Sequence, residues 1–485
     1  MSGKGLSDRA KVAVLLCCAQ FMLTLDFAIV NVALPSMQRG LGFSGSSLQW
    51  VVGAYGLLFG GFLLLGGRAG DVLGRKRLFV WGLAVFTAAS LAGGLATDPI
   101  VLILARGLQG LSAAAVSPAV LALMSSLFTS PPDRAKAMGA VGAVSSAGFA
   151  GGVLAGGVLT EWLGWRWVMF VNIPAGIILI ALAARMLTAD HRAARATHQD
   201  TDGGGERQRI DLPSALLVTS GTCSVIYALT ASTDHGWTSA IVLSTLTAGI
   251  ALIIAFLALQ TRLSNPLVPL GIFTNRNVSA GNAIAFAAGG VMSVSTYFLT
   301  LYLQHTLHYS ALRAGLAFFP QALAILLTSK FIAQSTGRSG PRPVLLTGVV
   351  FLAAGSLILT TVPHHPTDTT TAYLLHVLPG SVLLGLGLST MMISTAFAAM
   401  AGVAPPQLGL ASGLVNSNRQ LGVAVLLAIA VSLTNPQNPD YQVAFGFTTT
   451  LAILIAALTL TLAPRTSAKT PTSPAQPERT PAPAR

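Results

Sequence analysis

Apolar stretches long enough to cross a lipid bilayer recur along almost the whole of this chain. A helix of about 20 apolar residues spans the ~30 Å hydrocarbon layer, where every backbone polar group must be paired within the protein. Only 9% of the 485 residues are charged, against roughly 25% in soluble domains. The chain therefore cannot be an ordinary soluble domain, and we predict an all-α membrane protein with many spans.

The apolar stretches resolve into fourteen predicted spans separated by polar loops. They are 12–34, 48–65, 78–96, 100–123, 137–159, 167–187, 212–231, 239–259, 278–299, 314–332, 344–362, 374–399, 410–433 and 443–462. Pro118 and Pro320 fall in the fourth and tenth spans, which makes these two the weakest assignments. All three cysteines lie within spans, so we interpret them as packing residues and not as a disulfide or zinc set.

The distribution of Lys and Arg predicts which loops are cytoplasmic. With both termini in the cytoplasm, most of the 28 Lys and Arg residues fall on that side of the membrane, as the positive-inside rule expects. Arg39, Arg166 and Arg313 fall outside, and Arg106 and Arg419 lie within spans. The net charge of +13 is thus spread over short loops and does not indicate a nucleic-acid partner.

A long polar segment follows the sixth predicted span, and another follows the fourteenth. The spans fall into groups of six, two and six. The predicted divisions are six spans at 1–187, a cytoplasmic linker at 188–211, two further spans with the following loop at 212–277, six spans at 278–463 and a disordered cytoplasmic tail at 464–485. Loops containing Gly and Arg join the second and third spans of each bundle, which indicates an internal repeat. Repeats of this kind are typical of secondary transporters, whose binding site lies between the halves near the midplane.

Asp26 is the only acidic residue placed well inside a predicted span. A charge at that depth costs on the order of 3 kcal/mol, and it normally faces a partner charge or a water-filled cavity. At 1.5 Å per residue, Asp26 lies about 21 Å from the inner edge of its span and Arg106 about 9 Å from the outer edge of the fourth, so their depths coincide. Gln109 shares the helix face of Arg106. We predict that these three residues form a proton-coupling site; a static ion pair is the alternative.

The loop between the second and third spans is a second group of candidate functional residues. It contains Gly67, Asp71, Gly74 and Arg75. The glycines permit a tight reversal between two helices, and the carboxylate can pair with the guanidinium or accept from backbone N–H groups. The alternative is that the basic residues serve only to orient the protein in the membrane.

The fifth span carries glycines at a spacing that forms a groove along one helix face. They are Gly148, Gly152, Gly156 and the adjacent Gly157. Such a groove allows two backbones to approach closely. We expect plain helix packing here, with a smooth contact between moving halves of the protein as the alternative.

Polar and aromatic side chains in other spans are candidates for lining a central cavity. They are Asn31, Tyr55, Asn282, Gln321, Asn416 and Arg419, with Phe286, Tyr297 and Phe397 as further aromatic candidates. An equal alternative for Arg419 is that it caps a gate on the inner side of the membrane. We interpret the histidines of the outer loops as solvated, so no metal site is predicted. No sequence motif for nucleotide hydrolysis, or for a protease or esterase, is present, and we do not expect an enzyme.

Four motifs occur in order along the chain. They are LDx4NVALP at 25–35, Gx3Dx2GRK at 67–76, LxRx2QG at 104–110 and WRWVMFVNIPAG at 165–176. Together they resemble the signatures of the fourteen-span drug:proton antiporters of the major facilitator superfamily. There are two departures: Ala69 and Gly70 replace the usual Leu and Ala of the loop motif, and Val153 follows Gly152 where the antiporter motif carries Gly-Pro.

The resemblance implies two six-helix bundles around a central cavity, with two extra central helices as an accessory pair. It also implies that Asp26 binds the proton, that Arg106 and Gln109 tune it, and that the loop containing Asp71 and Arg75 is a cytoplasmic gate. It implies a proton-coupled exporter of small lipophilic or cationic drugs or antibiotics that works by alternating access in the plasma (inner) membrane. The expected partners are a small-molecule substrate, protons as coupling ion and the lipid bilayer, with no cofactor and no nucleic acid. A monomer is expected, and an accessory export partner is left open. The alternatives are a proton-coupled importer or uniporter of a small metabolite on the same fold, and a membrane scaffold or sensor without transport.

Overall fold

The computed structural model describes residues 3–128, 130–187, 211–263, 266–403, 407–434 and 440–462. In this part of the chain the regular structure is helical, and fourteen helices are long and apolar enough to cross a membrane. The predicted linker at 188–211, except Asp211, and the predicted tail at 464–485 lie outside the described residues.

We number the fourteen membrane-spanning helices α1–α14. They are α1 Gly3–Leu41, α2 Trp50–Leu73, α3 Arg75–Gly94, α4 Pro99–Leu127, α5 Pro131–Trp162, α6 Trp167–Phe170 with Asn172–Met186, α7 Leu212–His235, α8 Ala240–Arg262, α9 Arg276–Leu301 with a π-helical turn at Tyr302–Thr306, α10 Ala311–Ser339, α11 Pro341–Leu359, α12 Thr369–Ala372 with a π-helical turn at Tyr373–Val377 and Leu378–Met400, α13 Leu408–Leu433, and α14 Tyr441–Thr461. Each predicted span falls on one of these helices. Helices α4 and α10 continue through Pro118 and Pro320 without a break.

Local sequence signals set several helix ends. Asp98 caps α4, accepting hydrogen bonds from the backbone N–H groups of Ile100 at 2.9 Å and Val101 at 3.1 Å. Asp368 caps α12 in the same way, and hydrogen bonds from Thr371 and from the backbone N–H groups of the first turn lower the pKa of its carboxyl. This acid of an outer loop is therefore occupied as a helix cap.

The first and last six helices pack in the same order. In the first group α1 packs on α5, and α2 and α3 pack on α4. In the last group α9 packs on α13, and α10 and α11 pack on α12. The chain thus forms two six-helix bundles. A matching pair of contacts, α2 with α13 and α5 with α10, joins them.

Helices α7 and α8 stand beside the two bundles as an accessory pair. Helix α7 packs against both α2 and α13, whereas α8 packs mainly on α7. Gln49, just before α2, donates a hydrogen bond to Thr230 Oγ1 of α7 at 2.9 Å. The accessory pair therefore covers one of the two seams between the bundles.

Candidate functional site

An ion pair lies buried inside the N-terminal bundle. Arg106 Nη1 of α4 donates to Asp26 Oδ2 of α1 at 2.6 Å, and the two side chains are 1% and 0% exposed. The guanidinium also donates through Nε to Val51 O of α2 at 3.0 Å, and its Cζ lies 4.6 Å from the ring centroid of Tyr55. The coincident depths expected from the sequence therefore correspond to a direct contact.

A ring of neutral amides and a hydroxyl completes the hydrogen bonding around Asp26. Gln109 Nε2 donates to Asp26 Oδ1 at 3.0 Å and to Ser90 Oγ of α3 at 2.8 Å, while Gln109 Oε1 accepts from Arg106 Nη1 at 2.7 Å. Asn172 Nδ2 of α6 donates to Asp26 Oδ1 at 2.7 Å. The hydrogen-bond network around this carboxylate therefore joins five helices of one bundle, of which α1, α4 and α6 carry the directly bonded side chains.

Asn172 and Ser90 were not predicted as site residues. Asn172 lies within the WRWVMFVNIPAG motif at 165–176, so the sequence carried a signal for it. Ser90 is one of several hydroxyl residues in spans, and its contact with Gln109 depends on how α3 is rotated. Its own hydroxyl donates to Phe86 O at 2.9 Å, which orients the oxygen that accepts from Gln109.

We expect Asn172→Ala to destabilise the site measurably. A hydrogen bond to a charged group contributes about 1.5–3 kcal/mol, and the variant removes one of the donors to Asp26. The matched control is Asn31→Ala, because Asn31 is also buried but its amide donates to Phe27 O of its own helix at 2.7 Å. Thermal unfolding of the purified variants compares them; an equal effect would contradict the assigned role of Asn172.

The expectation of a water-filled cavity at Asp26 is not met in this conformation. Asp26, Arg106 and Gln109 are all buried, and Tyr55, predicted as a cavity residue, is only 1% exposed. Phe27 is partly exposed and lies against Tyr55, with ring centroids 5.9 Å apart. Of the two environments that the sequence allowed, the described site has the partner charge and is closed to solvent.

The predicted gate loop has one turn-forming glycine. Gly74 has φ +95°, which favours glycine, and links α2 to α3, whereas Gly67 lies within α2, where an added Cβ would meet no neighbour within 4 Å. Gly340 has φ +86° at the equivalent place between α10 and α11. The reversal thus depends on Gly74 and not on Gly67, and the internal repeat extends to backbone conformation.

Basic residues of this loop hold the ends of two other helices. Arg75 Nη1 donates to Ala122 O of α4 at 3.5 Å, and Lys76 Nζ donates to Ala184 O near the end of α6 at 3.1 Å. Cations are favourable at these helix C-termini. The side chain of Asp71 lies outside the described part of the structure.

The glycines of α5 face two different partners. A Cβ at Gly148, Gly152 or Gly156 would lie 2.6–2.9 Å from a backbone oxygen of α1, in the same bundle. A Cβ at Gly157 would lie 2.9 Å from Ala311 O of α10, in the other bundle. The contact between halves is therefore made by Gly157, whereas the regularly spaced three hold α1, and with it Asp26, in place.

The contacts between bundles include a cluster near the C-terminal ends of α1 and α5. We call this side of the molecule the distal face, and the side where α1 begins the N-terminal face. On the distal side Gln304 Nε2 of the α9 π-helical turn donates to Val32 O at 2.8 Å, and Leu312 N of α10 donates to Glu161 Oε2 at 3.4 Å. Gly142 lies in the half of α5 that is nearer the N-terminal face. It is exposed, and a Cβ added there would meet no atom within 4 Å.

The remaining predicted cavity residues are distributed over the C-terminal bundle. Asn282 is buried and accepts from Asn418 Nδ2 at 2.9 Å. Gln321 is 2% exposed, and its Oε1 has no hydrogen-bond partner among the described residues. Asn416 and Arg419 are partly exposed on α13 and bonded to each other. The structure therefore does not bring these four to the Asp26 site.

Two six-helix bundles with an ion pair buried inside one of them define a multi-pass membrane transporter of small molecules. The family model of the Major Facilitator Superfamily matches residues 16–296 and 281–485, and the chain belongs to that superfamily. The predictions of fold and family are thereby confirmed, and the chain is a transporter and not an enzyme.

Two curated relatives and one solved structure illustrate the similarity. Puromycin resistance protein pur8 of Streptomyces alboniger is 40% identical over 466 residues, covering 92% of this chain and 89% of that protein. Cephamycin export protein CmcT of Amycolatopsis lactamdurans is 38% identical over 433 residues, covering 88% and 85%. The xylose transporter XylE from E. coli, in a partially occluded inward open conformation, matches with a TM-score of 0.64 at 12% identity, covering 96% of this chain and 100% of that one, which bears on the fold alone.

Proposed function

We propose that this protein exports antibiotics or similar small lipophilic or cationic compounds across the plasma membrane in exchange for protons. The observation that carries the proposal is the carboxylate of Asp26, buried and held by Arg106, Gln109 and Asn172 in the middle of a transporter bundle. Intramembrane ionisable groups of this kind mark proton relays and substrate paths. The names of the relatives, which refer to antibiotic resistance and export, support the choice of substrate class.

Neutral acceptors allow the site to tolerate a proton on Asp26. If Asp26 is neutralised, Arg106 keeps Gln109 Oε1 at 2.7 Å, Val51 O at 3.0 Å and the face of Tyr55. Those partners lie on α2 and α4, so protonation weakens the hold of α4 on α1 in particular. Helix α1 also contacts α9 of the other bundle, and a change in its position alters the relation between the bundles.

Alternating access follows if substrate and proton favour different arrangements of the bundles. In the proposed orientation the N-terminal face is cytoplasmic, and the distal contacts of Gln304 and Glu161 close the outer side. Asp26 is sealed in this arrangement, so exchange requires a second conformation in which water reaches it from the outer side. Failure to find any state in which a carbodiimide modifies Asp26 would count against the exchanger.

Everted membrane vesicles test direction and coupling together. We expect puromycin to accumulate in vesicles that contain the protein when their lumen is acidified, and to be released when nigericin dissipates the pH gradient. Vesicles without the protein are the control. Accumulation that is unaffected by nigericin would favour a uniporter. Accumulation when the bath, and not the lumen, is acidified would favour an importer. The absence of flux for every tested compound would favour a scaffold or sensor.

A further inference from the structure

A second charged side chain lies deep in the transporter and is separate from the ion pair. Arg419 is 11 residues beyond Leu408, the first residue of α13, which places it about 17 Å along a helix of 26 residues. An Arg at the centre of a span costs about 2.5–3.5 kcal/mol unless it has a partner or water. Arg419 is partly exposed in this structure.

The packing of α13 fixes the direction of Arg419. On one side a Cβ at Gly422 would clash with Phe286 O of α9, and Asn418 donates to Asn282 of the same helix. On another side Ser417 donates to Gly60 O of α2. At 100° per residue, Arg419 and Asn416 lie on the arc between the α9 and α2 contacts. Helix α7 packs elsewhere on α13, against Ala424 and Ala428, so this arc faces the space between the bundles.

The guanidinium of Arg419 has spare hydrogen-bonding capacity. It carries five N–H donors, and in the described part of the chain its acceptor is the neutral Asn416 Oδ1. Arg106 is paired with Asp26, whereas no carboxylate among the described residues forms an ion pair with Arg419. Phe286 of the neighbouring α9 is partly exposed, and its backbone lies against Gly422, three residues along α13 from Arg419.

Resting on the function proposed above, we propose that Arg419 is a substrate-binding residue that takes the carboxylate of an anionic or zwitterionic lipophilic substrate. A guanidinium binds a carboxylate through two parallel N–H···O bonds, which a neutral ester cannot match. Arg419 lies at the level of Gly60 on α2, since a Cβ at Gly60 would meet Ser417 O and Leu421 N, whereas Arg106 donates to Val51 O, nine residues earlier on α2. Arg419 therefore lies roughly 14 Å nearer the N-terminal face than that bond, on the side from which an exported compound enters.

Equilibrium binding of two matched dyes tests the proposal. Rhodamine B and its ethyl ester differ by one carboxylate, and their binding to the purified full-length protein in phosphatidylcholine nanodiscs is measured by fluorescence polarisation without any gradient. We expect the wild type to bind rhodamine B about ten-fold more tightly than the ester. Arg419→Gln should remove this preference, and Arg419→Lys should keep part of it. The matched control Asn418→Ala, which alters a side chain directed at α9, should leave it unchanged.

The design separates the two proposals, because binding needs no proton gradient. A wild type that binds the two dyes equally or not at all, or an Arg419→Lys variant with no remaining preference, would overturn the carboxylate site. Equal weakening of both dyes by Arg419→Gln would assign the residue to structure instead. A preference that disappears when phosphatidylglycerol is added to the nanodisc would assign the site to a lipid headgroup and overturn the substrate assignment. Loss of proton-driven export with the dye preference intact would instead contradict only the proposed function.

Discussion

Replacement of Asp26 by Asn is expected to abolish export driven by a pH gradient. Asn has nearly the same size as the carboxylate but cannot exchange a proton in the physiological range. The neighbouring Arg106 keeps its acceptors on Val51 and Gln109, so we expect the variant to insert, with some loss of stability because a buried ion pair is broken. Transport is measured in proteoliposomes as substrate uptake after a pH jump.

Substrate counterflow is the control for this experiment. Exchange of labelled for unlabelled substrate needs binding and alternation of the two faces, but it requires no net movement of protons. We expect Asp26→Asn to retain counterflow while losing gradient-driven uptake. Retention of gradient-driven uptake would refute the assignment of Asp26 as the proton carrier. Loss of both activities in a stably folded variant would make Asp26 a residue for alternation as a whole and not for coupling.

Replacement of Gly152 by Val is expected to damage both the fold and transport. A Cβ at Gly152 would lie 2.6 Å from Leu25 O and 2.8 Å from Ala28 Cβ, on either side of Asp26 in α1. Overpacking of this kind typically costs about 1–3 kcal/mol. Because α1 must move to admit the side chain, the carboxylate shifts away from Arg106, and we expect transport to fall at least ten-fold.

Gly142 of the same helix provides the matched control. It is exposed, and a Cβ added at this position would have no neighbour within 4 Å. Gly142→Val should therefore leave the unfolding temperature and the transport rate close to those of the wild type. The measurement is thermal unfolding followed by size-exclusion chromatography, together with transport. Similar losses for the two variants would show that the close approach of α1 and α5 is not what requires glycine at position 152.

The sequence contained enough to place the ion pair but not to describe its surroundings. The depths of Asp26 and Arg106 follow from counting residues between span ends, since each adds a fixed rise. The donors Asn172 and Ser90 could not be selected in this way, because many polar residues share that depth. The helix that packs on the α5 glycines could not be chosen for the same reason: their spacing indicates a groove but not which helix occupies it.

The sequence alone determined the number of spans, their grouping as six, two and six, and the level of the buried charges in the membrane. These follow from hydrophobic length, from the polar segments between spans and from the rise per residue. The tertiary structure decided the rotation of each helix and its neighbours: that the network around Asp26 joins five helices, that Gly157 and not Gly152 meets the other bundle, and that Arg419 lies on the arc of α13 between its contacts with α9 and α2. Rotation and neighbour choice result from close packing between residues far apart in the chain, which no local pattern specifies.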